Sequence, residues 1–190
     1  MPAYAFICSS SASKNNSESI RMKLTDILPI EKWVELEKEI SALSGACANV
    51  YDIDGFKIIK EKNWSNRLCH KINHDKKGQT FICASAHQNM SIVARNTKKG
   101  VAQECDAGIV KIVVPIFKND EFIGSIGCCG LMFEDGEVES FLICKTMDID
   151  EDQIMALAEG VGVISEHNAE NIIQVIENKI SKIITGSNNR

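Results

Sequence analysis

The chain has 190 residues, 44 % hydrophobic and 25 % charged, a balance that suits one soluble globular core and excludes two large domains. A net charge of −5 with no basic block argues against nucleic-acid binding by the chain alone. No apolar run reaches the roughly 18–20 residues that a membrane span needs, so no membrane partner is expected. Residues 1–23 open with a short apolar patch and continue as a Ser/Asn/Lys stretch. They lack the basic start and long apolar core of a secretion signal and read as a flexible tail, with Met22 as an alternative start. The expected compartment is therefore cytoplasmic, where thiols stay reduced.

From Leu24 the pattern is helical, with Ile30, Trp33, Val34, Leu36 and Ile40 at three- and four-residue spacings and Gly45 as the C-cap. Two short apolar runs around Asp54-Gly55 predict a β-hairpin. Trp64 to Asn96 reads as helix in two pieces, broken near Asp75 to Gly78; the second carries Phe81, Ala84, Ser85, Gln88, Ile92 and Arg95 along successive turns. Three strands follow: Val101 to Cys105, Ile109 to Phe117 and Glu121 to Phe133. Pro115 within the second of these predicts an edge position or a bulge. Gly136 to Met147 forms a short amphipathic helix. Asp150 and Gln153 have capping-box spacing and open one long helix running nearly to the end. Its isoleucine-rich half, Asn168 to Ile184, needs either the domain surface or a second subunit to cover it, which leaves a homodimer open. The sum is an α+β domain: a mostly antiparallel sheet of about five strands flanked by helices.

Cysteine use is the strongest chemical signal. Of eight cysteines, Cys69, Cys83, Cys105, Cys128 and Cys129 fall within one stretch, and none forms a CxxC pair. Cys83 and His87, four apart, share a helix face, and Cys105 ends a strand at a turn. Cys128 and Cys129 point to opposite strand faces, so at most one can turn inward. Four converging thiolates would suit zinc or an iron–sulfur cluster, but the spacings are long and irregular. The plainer alternative is that these are small buried side chains lining a core or a pocket. His70 and His74 have zinc-compatible helical spacing, although His74 sits in a polar, turn-like neighbourhood and reads as exposed, as does His167 in the terminal helix. Asp106 is either a ligand hydrogen-bond acceptor or an Asx-turn residue before Gly108. Gly124, Gly127 and Gly130 recur along the third strand and mark either bulges or a close approach to the backbone. A cysteine-dependent enzyme would need Cys83 with His87 as its base, an awkward arrangement on one helix, so no enzyme is expected.

Leu68-Cys69, Cys83 within FICASAH, CDAGI from Cys105, and VPIFKNDEFIG from Val114 to Gly124 resemble the PocR-type ligand-binding sensory domain of bacterial regulators. GCCGL from Gly127 and GEVESFL from Gly136 are similar to a subgroup of it. The resemblance implies a PAS-like fold at residues 24–165, followed by a helical extension at 166–190. It also implies a pocket for a small hydrocarbon-derived or diol-like molecule. Such domains usually precede a DNA-binding or signalling module; only a helix follows here, so a stand-alone sensor acting through a signalling protein partner is expected. The candidate ligand-binding set is Cys69, Cys83, His87, Cys105, Asp106, Gly127 and Cys128. The alternative is a metal or iron–sulfur redox sensor using Cys69, Cys83, Cys105, Cys128 and Cys129. In the first reading, ligand binding shifts the population between two arrangements of the terminal helix.

Overall fold

The computed structural model describes residues 21–60 and 64–187, so most of the expected tail at residues 1–23 lies outside the described residues. Helix α1 (Leu24–Ile27) is short, and Pro29 caps the start of α2 (Ile30–Ser44), where its fixed φ and missing N–H cost nothing. The expected C-cap holds: Gly45 has φ 70° and its N–H bonds the Ser41 carbonyl. Trp33, Leu36 and Ile40 form the buried face of α2.

Strand β1 (Cys47–Asp52) does not become a hairpin. The turn itself forms: Asp52 Oδ1 accepts the N–H groups of Asp54 and Phe56, and Gly55 takes φ 82°. After it the returning chain makes one bridge, Tyr51 to Lys57, flanked by the Asp52 N–H to Phe56 carbonyl and Ile58 N–H to Val50 carbonyl bonds, while the other edge of β1 pairs along its whole length with a strand far downstream. Helix α3 (Arg67–His74) leads into a π-helical segment (Gly78–Ala84) that continues as α4 (Ser85–Thr97). Ile82, His87, Met90 and Ala94 face inward there, whereas Phe81 and Ile92 are exposed.

Strands β2 (Val101–Glu104), β3 (Val110–Lys118) and β4 (Glu121–Phe133) form the expected meander. The sheet order is β1-β4-β3-β2. Strand β2 reaches only as far as Val113, which leaves Pro115 on an open edge as its missing donor requires. The β3–β4 register slips at Val110/Lys111 and at Ile116/Phe117. Gly130 (φ 119°) and Gly124 (φ 156°) stand at these two bulges.

Helices α5 (Ser140–Met147) and α6 (Glu151–Ala158) come next. The single long helix expected from Asp150 is two helices, and the Asp150 side chain makes no capping bond. Between α6 and α7 (Glu166–Ser187), β5 (Gly162–Ile164) pairs parallel to Leu131–Phe133. The expected count of five strands stands, but the fifth is β5 and not a hairpin arm. Ile176 and Ile180 of α7 are buried against the sheet. No helix among the described residues is long and apolar enough to cross a membrane.

Strand alternation divides the sheet into two unlike faces. Ala48, Val50, Ile112, Val114, Ile116, Ile126 and Cys128 pack with α1, α2 and α7 in one apolar core. Their odd-numbered neighbours face the α3–π–α4 layer.

Candidate functional site

Under that second layer lies a cavity of about 380 Å³, at the small end of ligand pockets, which run about 300–1,000 Å³. Its floor is built by register. Cys47, Cys129 and Lys111 are direct cross-strand partners in one row across β1, β4 and β3, and all three line the cavity. Asn49 and Tyr51 continue the same face of β1. Cys69, Ile72, Cys83 and His87 close the cavity from the helices, with Cys105 and Ile109 at one side. Phe56, Lys57 and Trp64 line it as well, and Phe56 is largely exposed.

The helical wall is hung on the sheet by two side chains. Asn66 is the N-cap of α3: its Oδ1 accepts the Cys69 N–H at 2.7 Å while its Nδ2 donates to the Gly130 carbonyl at 2.7 Å. Ser65 Oγ donates to the Cys129 carbonyl at 3.1 Å. A side chain at Gly130 would collide with Ser65, so the bulge glycine is what lets this tether close. Further along, the π-helical turn carries Cys83 to the cavity, and Asp75 Oδ1 accepts the Gly78 N–H at its start.

His87 is 3 % exposed and stacks on Tyr51, with ring centroids 3.6 Å apart. The stack lies on Gly127, where a Cβ would stand 2.8 Å from Tyr51 Cε2. Gly127 thus makes room for the Tyr51 ring and does not itself line the cavity. Burial, then the charges of Lys111 and Lys57, push the His87 pKa down to about 3, so the imidazole is neutral near physiological pH. Nε2 meets Ser91 Oγ at 3.3 Å, and Nδ1 has no hydrogen-bond partner among the described residues.

Lys111 is 5 % exposed. Burial opposes its charge; Tyr51, Cys129, Cys83 and Cys105 favour it only in their ionised forms, and with them the net direction is upward. Its ammonium lies 5.9 Å from the Tyr51 ring centre, at the outer limit of a cation–π contact. Burial lowers the pKa of Lys57, whose ammonium sits over Trp64 at 5.4 Å. Burial also raises the thiol pKa values of Cys47, Cys69, Cys83 and Cys105, which favours the neutral thiol over the nucleophilic thiolate.

The structure therefore brings Cys69, Cys83, His87, Cys105 and Cys129 to one cavity and leaves other candidates outside it. Cys128 lies on the opposite face in the apolar core, 3.5 Å from Ser44 Oγ, with its pKa pushed up to about 12 by burial. Strand alternation allows one of the two adjacent cysteines inward, and it is Cys129. Asp106 is exposed in the turn closed by the Cys105 N–H to Ile109 carbonyl bond and the Gly108 N–H to Cys105 carbonyl bond. No disulfide links the described cysteines. No group of three or more His, Cys, Asp or Glu among the described residues could hold a metal ion, so the alternative zinc or iron–sulfur site finds no preformed ligand set. His70 and His74 are exposed, stack on each other and pack edge-on against Trp64, and neither lines the cavity itself.

Cys47, Asn49, Tyr51, Lys57, Trp64 and Lys111 also line the cavity and were not foreseen. The available signal was Lys111, a single cation inside the apolar run Ile109 to Ile116, and the polar odd positions of β1. The family model described as a sensory domain found in PocR matches residues 26–188, a span that includes α7. No curated protein and no solved structure matches the chain.

Proposed function

Because the chain belongs to the family of sensory domains found in PocR, we propose that it senses a small hydrocarbon-derived or diol-like molecule in this cavity. The observation that carries the reading is the cavity itself, lined by thiols and apolar side chains around a few polar groups. Neutral buried thiols act there as small, polarisable hydrophobic walls, not as nucleophiles. The reading is therefore a binding module and not an enzyme.

Signalling would run through α4. The helix that carries His87 into the cavity is capped by Lys98, in the left-handed conformation, two residues before Gly100. The Gly100 N–H donates to Glu177 Oε1 of α7 at 2.9 Å, and a side chain at Gly100 would collide with Ile173 of the same helix. A ligand that binds one position of α4 better than another would thereby bias α7 and its contacts with a partner protein.

Thermal denaturation with a panel of 1,2-diols and short hydrocarbon derivatives tests the reading. A true ligand at about 100 times its Kd adds about 2.7 kcal/mol of stability. Cys83→Phe, which fills the cavity, should abolish the shift. Absence of stabilisation by every compound, or full binding by Cys83→Phe, would sink the reading.

A further inference from the structure

We propose that the molecule taken by this cavity is a small organic acid, its carboxylate held by Lys111 and its apolar body laid against Ile72, Ile109 and the thiol wall. The inference rests on the sensory reading of the cavity and adds the head group to it.

A buried ammonium is costly unless an anion or a set of hydrogen-bond acceptors meets it. Lys111 is buried in the middle of the sheet, yet the ion pairs found among the described residues all use other cations: Lys32, Arg67, Lys98 and Lys179. Around Lys111 stand Tyr51, Cys83, Cys105 and its cross-strand partner Cys129, none of them a carboxylate; burial makes the first three weaker acids still. Among the described residues, the one carboxylate on the cavity lining is Asp54, which is exposed in the turn after β1. Lys57 adds a second cation to the same lining. The cavity thus presents positive charge inside largely apolar walls, a field that selects an anion and strengthens its attraction by excluding water.

The anion fits a carboxylate better than a phosphate. Among the described residues no arginine lines the cavity to grip a dianion bidentately, and the two lysines there act as point charges on single oxygens. Lys57 is only half-buried whereas Lys111 stands on the sheet floor, which makes Lys111 the partner deep in the cavity for one negative charge. The thiol and isoleucine walls match an aliphatic or aromatic body, and a volume of about 380 Å³ limits that body to a small one.

Titration calorimetry on the full chain, with matched sets of one carbon skeleton each, tests the proposal. Butyrate, butyramide and 1,2-butanediol form one set; benzoate, benzamide and benzyl alcohol form the other. The expected result is that one acid binds at least tenfold tighter than its amide and alcohol counterparts. Lys111→Met should lose at least tenfold of that affinity, and Lys111→Arg should retain part of it. Circular dichroism checks that both variants fold, and the acid-over-amide preference of the unaltered chain needs no variant at all. If a diol or amide binds as tightly as its acid, or the acid keeps its affinity in a folded Lys111→Met, the head group is wrong while the sensory cavity stands. If no compound of either set binds at millimolar concentration, the acid proposal falls, and the sensory reading then fails for these skeletons too.

Discussion

The two faces of one sheet meet opposite fates. Toward α2 and α7, Val50, Ile112, Val114, Ile126 and Cys128 fit a dry core with Trp33 and Ile176. Toward α3 and α4, the intervening residues include Asn49, Lys111 and Ser125, and these with His87 are the buried polar side chains among the described residues. Both faces come from the same strands, so strand propensity cannot explain the contrast. The first face is covered by α2 and α7, whose apolar stripes run along it, except for an open groove between them at Leu43, Val163 and Val175. The second is roofed by short helical pieces and a π-helical turn, which leave a cavity between roof and floor. Polar residues persist where packing is incomplete, and incomplete packing is what a binding site requires.

The largest test of this contrast is Trp33→Ala. Trp33 is fully buried and its Nε1 donates to the Leu24 carbonyl at 3.1 Å. Its loss should cost about 3–5 kcal/mol in urea denaturation. Lys111→Met, by contrast, should leave stability unchanged or raise it, because it replaces a buried cation by an apolar side chain. A large loss in Lys111→Met would mean that Lys111 holds the fold together and the contrast is wrong.

Next in size is Gly127→Ala. Its Cβ, 2.8 Å from Tyr51 Cε2, must displace the Tyr51–His87 stack. The expected loss is about 1–3 kcal/mol by denaturation, together with altered ligand affinity. An unperturbed variant would show that the stack is not seated on the strand backbone.

The pH dependence follows. His87 titrates near 3 in the folded protein against an ordinary 6.5, so as pH falls below 6.5 the unfolded chain takes up a proton that the folded chain refuses. Stability should therefore fall with pH between about 6.5 and 3, this residue contributing at most about 1.4 kcal/mol per pH unit. Denaturation of His87→Gln across pH 7 to 4 should show a shallower slope. An unchanged slope would mean that His87 is protonated in the fold.

The smallest effects separate neighbouring cysteines. Cys128→Ala, in the dry core, should cost about 1 kcal/mol and leave ligand affinity alone. Cys129→Ala, on the cavity floor, should do the reverse. Identical behaviour of the two would erase the distinction between the faces.

Much of this architecture was readable from local signals. Gly45 ended α2 where expected, the strand boundaries of β3 and β4 followed their turn residues, and Pro115 marked an open edge. These features depend on φ/ψ preferences and short-range periodicity, which a linear sequence carries. The failures share a different cause. The Asp54-Gly55 turn formed with only a short return pairing while β1 added its other edge to β4, and the helix expected from Asp150 ends at the left-handed Gly160 before Gly162 to Ile164 pair with the end of β4. The cysteine pattern pointed to the cavity through Cys69, Cys83 and Cys105, yet it could not choose between Cys128 and Cys129 or reveal Lys111.

By itself the sequence determined the α+β class, the meander, the helix caps and the clustering of thiols, because each rests on residues close together in the chain. Only the tertiary structure decided which strand face became a cavity and which residues share it. Cys47, Cys129 and Lys111 meet in one row through pairing register, a relation between distant segments that a one-residue slip would reverse.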